Sequence, residues 1–137
     1  DLMAIKKSEL YSSIWKSCDE LRGGMDASQY KDYVLVMLFI KYVSDKYSGK
    51  PYSPIIVPEG ASFKDMVALK GNPNIGDDIN KKIIGKIAAA NDLKGTIDTA
   101  DFNSSDKLGS GKAMVDRLSN LISIFENPAL DFSKNRP

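Results

Sequence analysis

Between Ala27 and Ser48 the chain contains neither glycine nor proline, and its middle, Val34 to Ile40, is seven consecutive apolar residues. Taken alone, those seven residues would suit a buried strand. The unbroken length around them decides otherwise: it allows about six helical turns, polar at both ends and apolar round the middle. A helix of that kind is predicted to be a central core element around which the others pack. The Arg22-Gly23-Gly24 turn precedes it, Asp26 or Ser28 supplies an N-cap, and it runs to about Tyr47.

The remaining pattern is also helical. Leu10, Tyr11, Ile14, Trp15, Cys18 and Leu21 recur at helical spacing, with Ser8 as the expected N-cap and Gly23-Gly24 as the stop. Pro51, Pro54 and Pro58 make a loop, in which Ile55-Ile56-Val57 has the composition of a short strand. Ser62 and Asp65 have capping-box spacing before a short helix to about Lys70. Asp77 and Asp78 suit the N-terminal dipole of the next helix, whose stripe is Ile75, Ile79, Ile83, Ile84, Ile87 and Ala88. Residues 94–111 are irregular, anchored by Ile97, Phe102 and Leu108. A last helix carries Met114, Val115, Leu118, Leu121, Ile122 and Phe125 and stops at Asn127-Pro128, with Leu130 and Phe132 in a tail. The expectation is a single, mainly α domain over residues 1–137, of about five helices around the apolar one, with at most one short strand pair. Trp15, Cys18, Leu38, Phe39, Ile83 and Leu118 are the expected core, with Trp15 and Phe39 each buried against the other's helix.

Composition removes much chemistry. Histidine is absent, which excludes a Ser-His or Cys-His pair, a histidine base and a histidine metal ligand. The one cysteine, Cys18, permits no internal disulfide and lies on an apolar stripe, so it reads as a core thiol. The paired acids Asp77-Asp78 and Asp19-Glu20 fall on polar faces. The stretch Leu108-Gly-Ser-Gly-Lys-Ala113 glances at a phosphate loop, but Asp106 stands where the motif needs its first glycine and Ala113 where it needs Ser or Thr. No Gly-x-Gly-x-x-Gly occurs. No secretory signal is visible, and the longest apolar run is about half a membrane span.

Charge is balanced, 19 basic against 18 acidic residues, so no electrostatic footprint announces DNA. Lys6, Lys7, Arg22 and Lys31 are the candidates for a phosphate contact, near the start of the chain or the first interhelical turn. Residues alone thus indicate a helical domain without catalytic, cofactor or metal residues. A helix-turn-helix reading fails because the best recognition candidate, 77–91, is apolar and offers only Lys81, Lys82 and Lys86.

The stretch from Ile14 to Tyr47 resembles the start of the methyltransferase (M) subunit of type I restriction-modification systems. The features that carry this are Trp15, the Asp19-x-Leu21-Arg22-Gly23 turn, Tyr30-Lys31, and the Phe39-x-Lys41-Tyr42-x-Ser44-Asp45 helix end. Val57 to Phe63, Asp101 to Gly109 and Leu130 to Ser133 are similar to later landmarks of the same domain. The resemblance implies an N-terminal helical domain whose catalytic domain follows downstream, this chain ending about where the link would begin. It implies a parent that methylates adenine N6 with S-adenosyl-L-methionine. It also implies a specificity subunit, a restriction subunit and double-stranded DNA as partners, no membrane, and a cytoplasmic location. The family's Asn-Pro-Pro-Phe/Tyr motif does not occur, since Asn72-Pro73 and Asn127-Pro128 lack the second proline, so this piece alone is expected to be inactive. The rival expectation is a free-standing helical protein-interaction module.

Overall fold

The structure, a computed structural model, describes the backbone of residues 2–133 and the side chains of residues 7–133. Helix α1 spans Leu2–Glu20 and α2 spans Ala27–Tyr47. Helix α3, Phe63–Val67, is short; α4, Ile75–Asp78, passes through a π-helical segment, Ile79–Ile84, into α5, Gly85–Ala90. A single turn, α6, Ser105–Leu108, precedes α7, Lys112–Phe125. No strand occurs among the described residues, so the fold is all-helical.

Two caps follow the sequence closely. The Asp26 carboxylate accepts the backbone N–H groups of Ser28 and Gln29 at 3.1 and 3.3 Å, closing the N-terminus of α2. Ser62 and Asp65 form the reciprocal capping box of α3, with Ser62 N donating to Asp65 at 3.0 Å and Asp65 N to Ser62 Oγ at 3.3 Å. Ser8, by contrast, caps nothing. Helix α1 already begins at Leu2, because no glycine or proline separates that residue from Ser8 and serine is tolerated inside a helix.

Helix α7 packs against α1, α2, α3, α4 and α6, and so shares the centre of the domain with α2. Its Met114, Leu118, Leu121, Ile122 and Phe125 are buried. Helix α2 buries Tyr30, Tyr33, Val34, Met37, Ile40 and Val43 on one side. Its apolar middle is not covered all round: Leu38 and Phe39 are half-buried and Leu35 is 46% exposed.

The isoleucine stripe explains the π segment. Ile75, Ile79, Ile83 and Ile87 recur every four residues, whereas an α-helix turns every 3.6. Over three repeats that mismatch would rotate the stripe off the core by about 120°. A wider π turn absorbs it, and the backbone N–H of Gly85 bonds back five residues to Asn80. All six stripe residues, Ile84 and Ala88 included, are at most 1% exposed.

The expected strand at Ile55–Val57 does not form; the segment is a loop clamped by one side chain. Asn91 at the end of α5 accepts from Ile56 N and donates to Ile56 O, both at 2.7 Å, and also donates to Ile87 O at 2.8 Å. The side-chain amide thus does what a neighbouring strand would do. The 101–103 segment is fastened similarly. Asn80 Oδ1 accepts Phe102 N at 2.9 Å, Asn80 Nδ2 donates to Asp101 at 2.8 Å, and Tyr33 Oη donates to Asp101 O at 2.7 Å. Phe102 is fully buried edge-on to Tyr33, and Gly76 lies so close beneath that a Cβ there would meet Phe102 O at 2.3 Å.

Candidate interaction surface

Trp15, expected in the core, is 44% exposed. The reason is angular. Successive helical residues turn by about 100°. Leu10, Ile14, Cys18 and Leu21 fall within one narrow arc that faces α7 and α2, and Trp15 sits about 100° round from Ile14. One neighbouring layer covers the centre of such a wide apolar arc and leaves its flank open. Tyr11, on the same flank, is 48% exposed.

Leu35 on α2 continues this flank, and together the three residues edge a pair of adjoining grooves. One, of about 450 Å³, lies between α1 and the α7 end and is lined by Tyr11, Trp15, Val34, Leu38, Phe125 and Leu130. The other, of about 400 Å³, lies between α1, α2 and the tail and is lined by Tyr11, Leu35, Leu38, Phe39, Tyr42 and Phe132. Tyr11 and Leu38 belong to both, so the apolar surface is continuous. The tail is held in place as its wall: Phe132 N donates to Asp45 at 3.1 Å, the Phe132 ring meets Tyr42 at 5.2 Å, and Leu130 is buried. Asp45 is itself paired with Lys41 at 2.8 Å. No lining residue of either groove carries a charge, so what the surface can do is bury apolar area against another apolar surface.

Of the other expected core residues, Cys18 and Leu118 are 0% exposed and Ile83 is 1% exposed, whereas Leu38 and Phe39 are only half-buried and line the grooves, because the described elements leave that side of α2 open. Burial pushes the Cys18 thiol up to about 11, so at neutral pH it is protonated and inert as a nucleophile. Tyr30, which donates to the Cys18 carbonyl, and Tyr33 are likewise raised, chiefly by burial, and both act as phenol donors. The ordinary carboxylate value is lowered at Asp26, first by the Ser28 hydroxyl, and at Asp65, first by the Ser62 hydroxyl. These are structural caps.

The four phosphate-contact candidates are not gathered. The Lys6 side chain lies outside the described residues. Lys7 and Arg22 are 15 residues apart along α1 and its following turn, about 22 Å of helix. Arg22 stands 3.8 Å from Asp19, which offsets its charge, and Lys31 is exposed on the first turn of α2. The loop at Leu108–Ala113 does not have the strand-loop-helix setting of a phosphate loop. It runs from the end of α6 into α7, with no strand before it, and Gly111 is the N-cap. No group of three or more metal-ligating side chains occurs among the described residues. No described helix is long and apolar enough to cross a membrane.

Sequence reasoning missed this surface because it counted Tyr11 and Trp15 as core. The legible signal was the width of the α1 arc together with an α2 that is apolar on more sides than its neighbours can cover. No solved structure matches the chain. A family model described as HsdM N-terminal domain matches residues 10–125, which takes in all of α2 and the groove-lining part of α1, and the chain therefore belongs to that family, the N-terminal domain of the methyltransferase M subunit of type I restriction-modification systems.

Proposed function

We propose that this domain is the assembly module of a type I methyltransferase, and that its apolar face is covered by the specificity subunit. The observation that carries the reading is the continuous exposed surface of Tyr11, Trp15 and Leu35, at 48, 44 and 46% exposure, over grooves with no charged lining. Tryptophan and tyrosine anchors ringed by apolar contacts that exclude water are the composition of protein-interface hot spots. Because the sequence lacks both a Gly-x-Gly-x-x-Gly cradle and an Asn-Pro-Pro motif, this reading assigns methyl transfer to adenine N6 to the parent's catalytic domain, which would supply the S-adenosyl-L-methionine site and extrude the base. The subunits work on DNA in the cytoplasm, with a restriction subunit added for cleavage.

The test places Leu35→Asp and Tyr11→Asp together in the full M subunit. The expected result is loss of the specificity subunit in sedimentation, with the helical circular dichroism of the M subunit retained. A complex that forms with unchanged affinity overturns the reading. The same variant tested for self-association distinguishes a second copy of the M subunit as the occupant.

A further inference from the structure

Residues 46–58, the last two residues of α2 and the loop that carries the clamp at Ile56, contain an exposed tyrosine that no groove of the assembly face uses. Tyr52 has φ +59, in the left-handed region that disfavours any side chain with a Cβ, and it is fully exposed at 103%. Glycine would occupy the position without strain. The loop is nonetheless well fixed. Lys50 N donates to Tyr47 O at 3.0 Å, Ser53 Oγ donates to Lys50 O at 2.8 Å, Pro51 and Pro54 restrict the backbone on either side, and Asn91 clamps Ile56 on both its N–H and its carbonyl. The ring is therefore held out from the surface by the backbone.

The charge here departs from the balance of the whole chain. Residues 46–58 contain Lys46 and Lys50 and no carboxylate, in a protein of 19 basic and 18 acidic residues. The flanking acids are Asp45, already taken by Lys41 and by the Phe132 amide, and the exposed Glu59. Tyr47, Lys50, Pro51, Tyr52, Ser53 and Ile56 surround a shallow open depression of about 520 Å³. The Lys50 ammonium and the Ser53 hydroxyl therefore stand at the rim of an aromatic and apolar floor.

We propose that this loop is a DNA contact, with Lys50 on a phosphate of duplex DNA and Tyr52 packed on the deoxyribose beside it, while Lys46 is turned away, its Nζ 5.2 Å from the centre of the Tyr42 ring. Cations and hydroxyls of this kind fix a protein on the duplex without reading sequence. An aromatic face against the deoxyribose adds contact that does not depend on sequence, and a loop fixed beforehand loses little freedom on binding. The proposal is independent of which subunit covers the apolar face.

The experiment uses the assembled methyltransferase and a fluorescent duplex, titrated at several salt concentrations. Tyr52→Gly removes the ring and relieves the backbone, so the variant melts no lower than the parent while its DNA affinity falls about tenfold. Lys50→Gln flattens the dependence of log affinity on log salt by about one unit. Binding curves that superimpose on the parent for both variants overturn the proposal. So does a loss of DNA binding that accompanies loss of the specificity subunit in sedimentation, which makes Tyr52 a protein anchor instead.

Discussion

The isoleucine helix, α4 through α5, and the aromatic flank of α1 are both apolar stripes on helices, yet one is sealed and the other open. The isoleucines are at most 1% exposed, while Tyr11 and Trp15 are close to half exposed. The first stripe is kept on one face by a change of helical pitch, which has a cost in regular hydrogen bonding that only complete burial would offset. The second stripe is simply wider than the layer that covers it. An apolar residue in this domain therefore has two fates, decided by the angle at which it leaves its helix relative to α7 and α2.

Truncation on the sealed side should produce the largest effect. Ile83→Ala removes a side chain with no solvent to relax into, and the expected loss is about 2–5 kcal/mol. Denaturant unfolding of the isolated domain checks it, and a loss below about 1 kcal/mol would mean that the π segment relaxes to refill the space. Gly76→Ala tests the same side by insertion. The new methyl would collide with the Phe102 carbonyl at 2.3 Å, so the 101–103 segment must lift, and proteolysis between Asp98 and Leu108 should accelerate along with a lowered melting temperature.

On the open side, Trp15→Ala in the isolated domain should cost about 1 kcal/mol or less, clearly below Ile83→Ala. Trp15 is the one tryptophan of the chain, so its fluorescence reports the surface directly. It should be quenched by a soluble ion in the free domain and protected when the specificity subunit is added. Protection in the free domain would erase the contrast between the two stripes.

The smallest effect concerns neither stripe, only the cap that aims α3. Asp65 is held below the ordinary carboxylate range, so its contribution is present above the unfolded value of about 3.9 and is lost as pH falls through the lower folded value. The stability of Asp65→Asn should therefore fall less between pH 5 and pH 3, a window of about two units, than that of the parent.

Most helices were legible because periodicity depends only on local spacing. Asp26 and the Ser62–Asp65 pair were legible for the same reason, as capping acts over three residues. The start of α1 was not: Ser8 is as good a cap as Asp26 by type, and only the uninterrupted turn before it decides against it. Nor was the side on which Trp15 falls, since that depends on which neighbours cover α1. The strand expected at Ile55–Val57 did not form; its backbone is fastened instead by a side chain that lies 35 residues away. Of the interaction surfaces, the α1 flank was present in the sequence but assigned to the core. The Tyr52 loop gave only its prolines, because backbone sign and exposure are tertiary properties.

The π segment has a reach beyond the stripe it keeps in phase. The residue it accommodates also sets the rotation at which α5 ends, and hence the direction in which Asn91 points. Forcing residues 79–84 into ordinary pitch without removing a residue would turn the helix beyond them and swing Asn91 by about 100° away from Ile56. The loop that presents Tyr52 would lose its fastening without a single change to its own sequence. The timing of one helix thus governs the posture of a surface loop more than twenty residues upstream, and the two segments can drift in sequence only together.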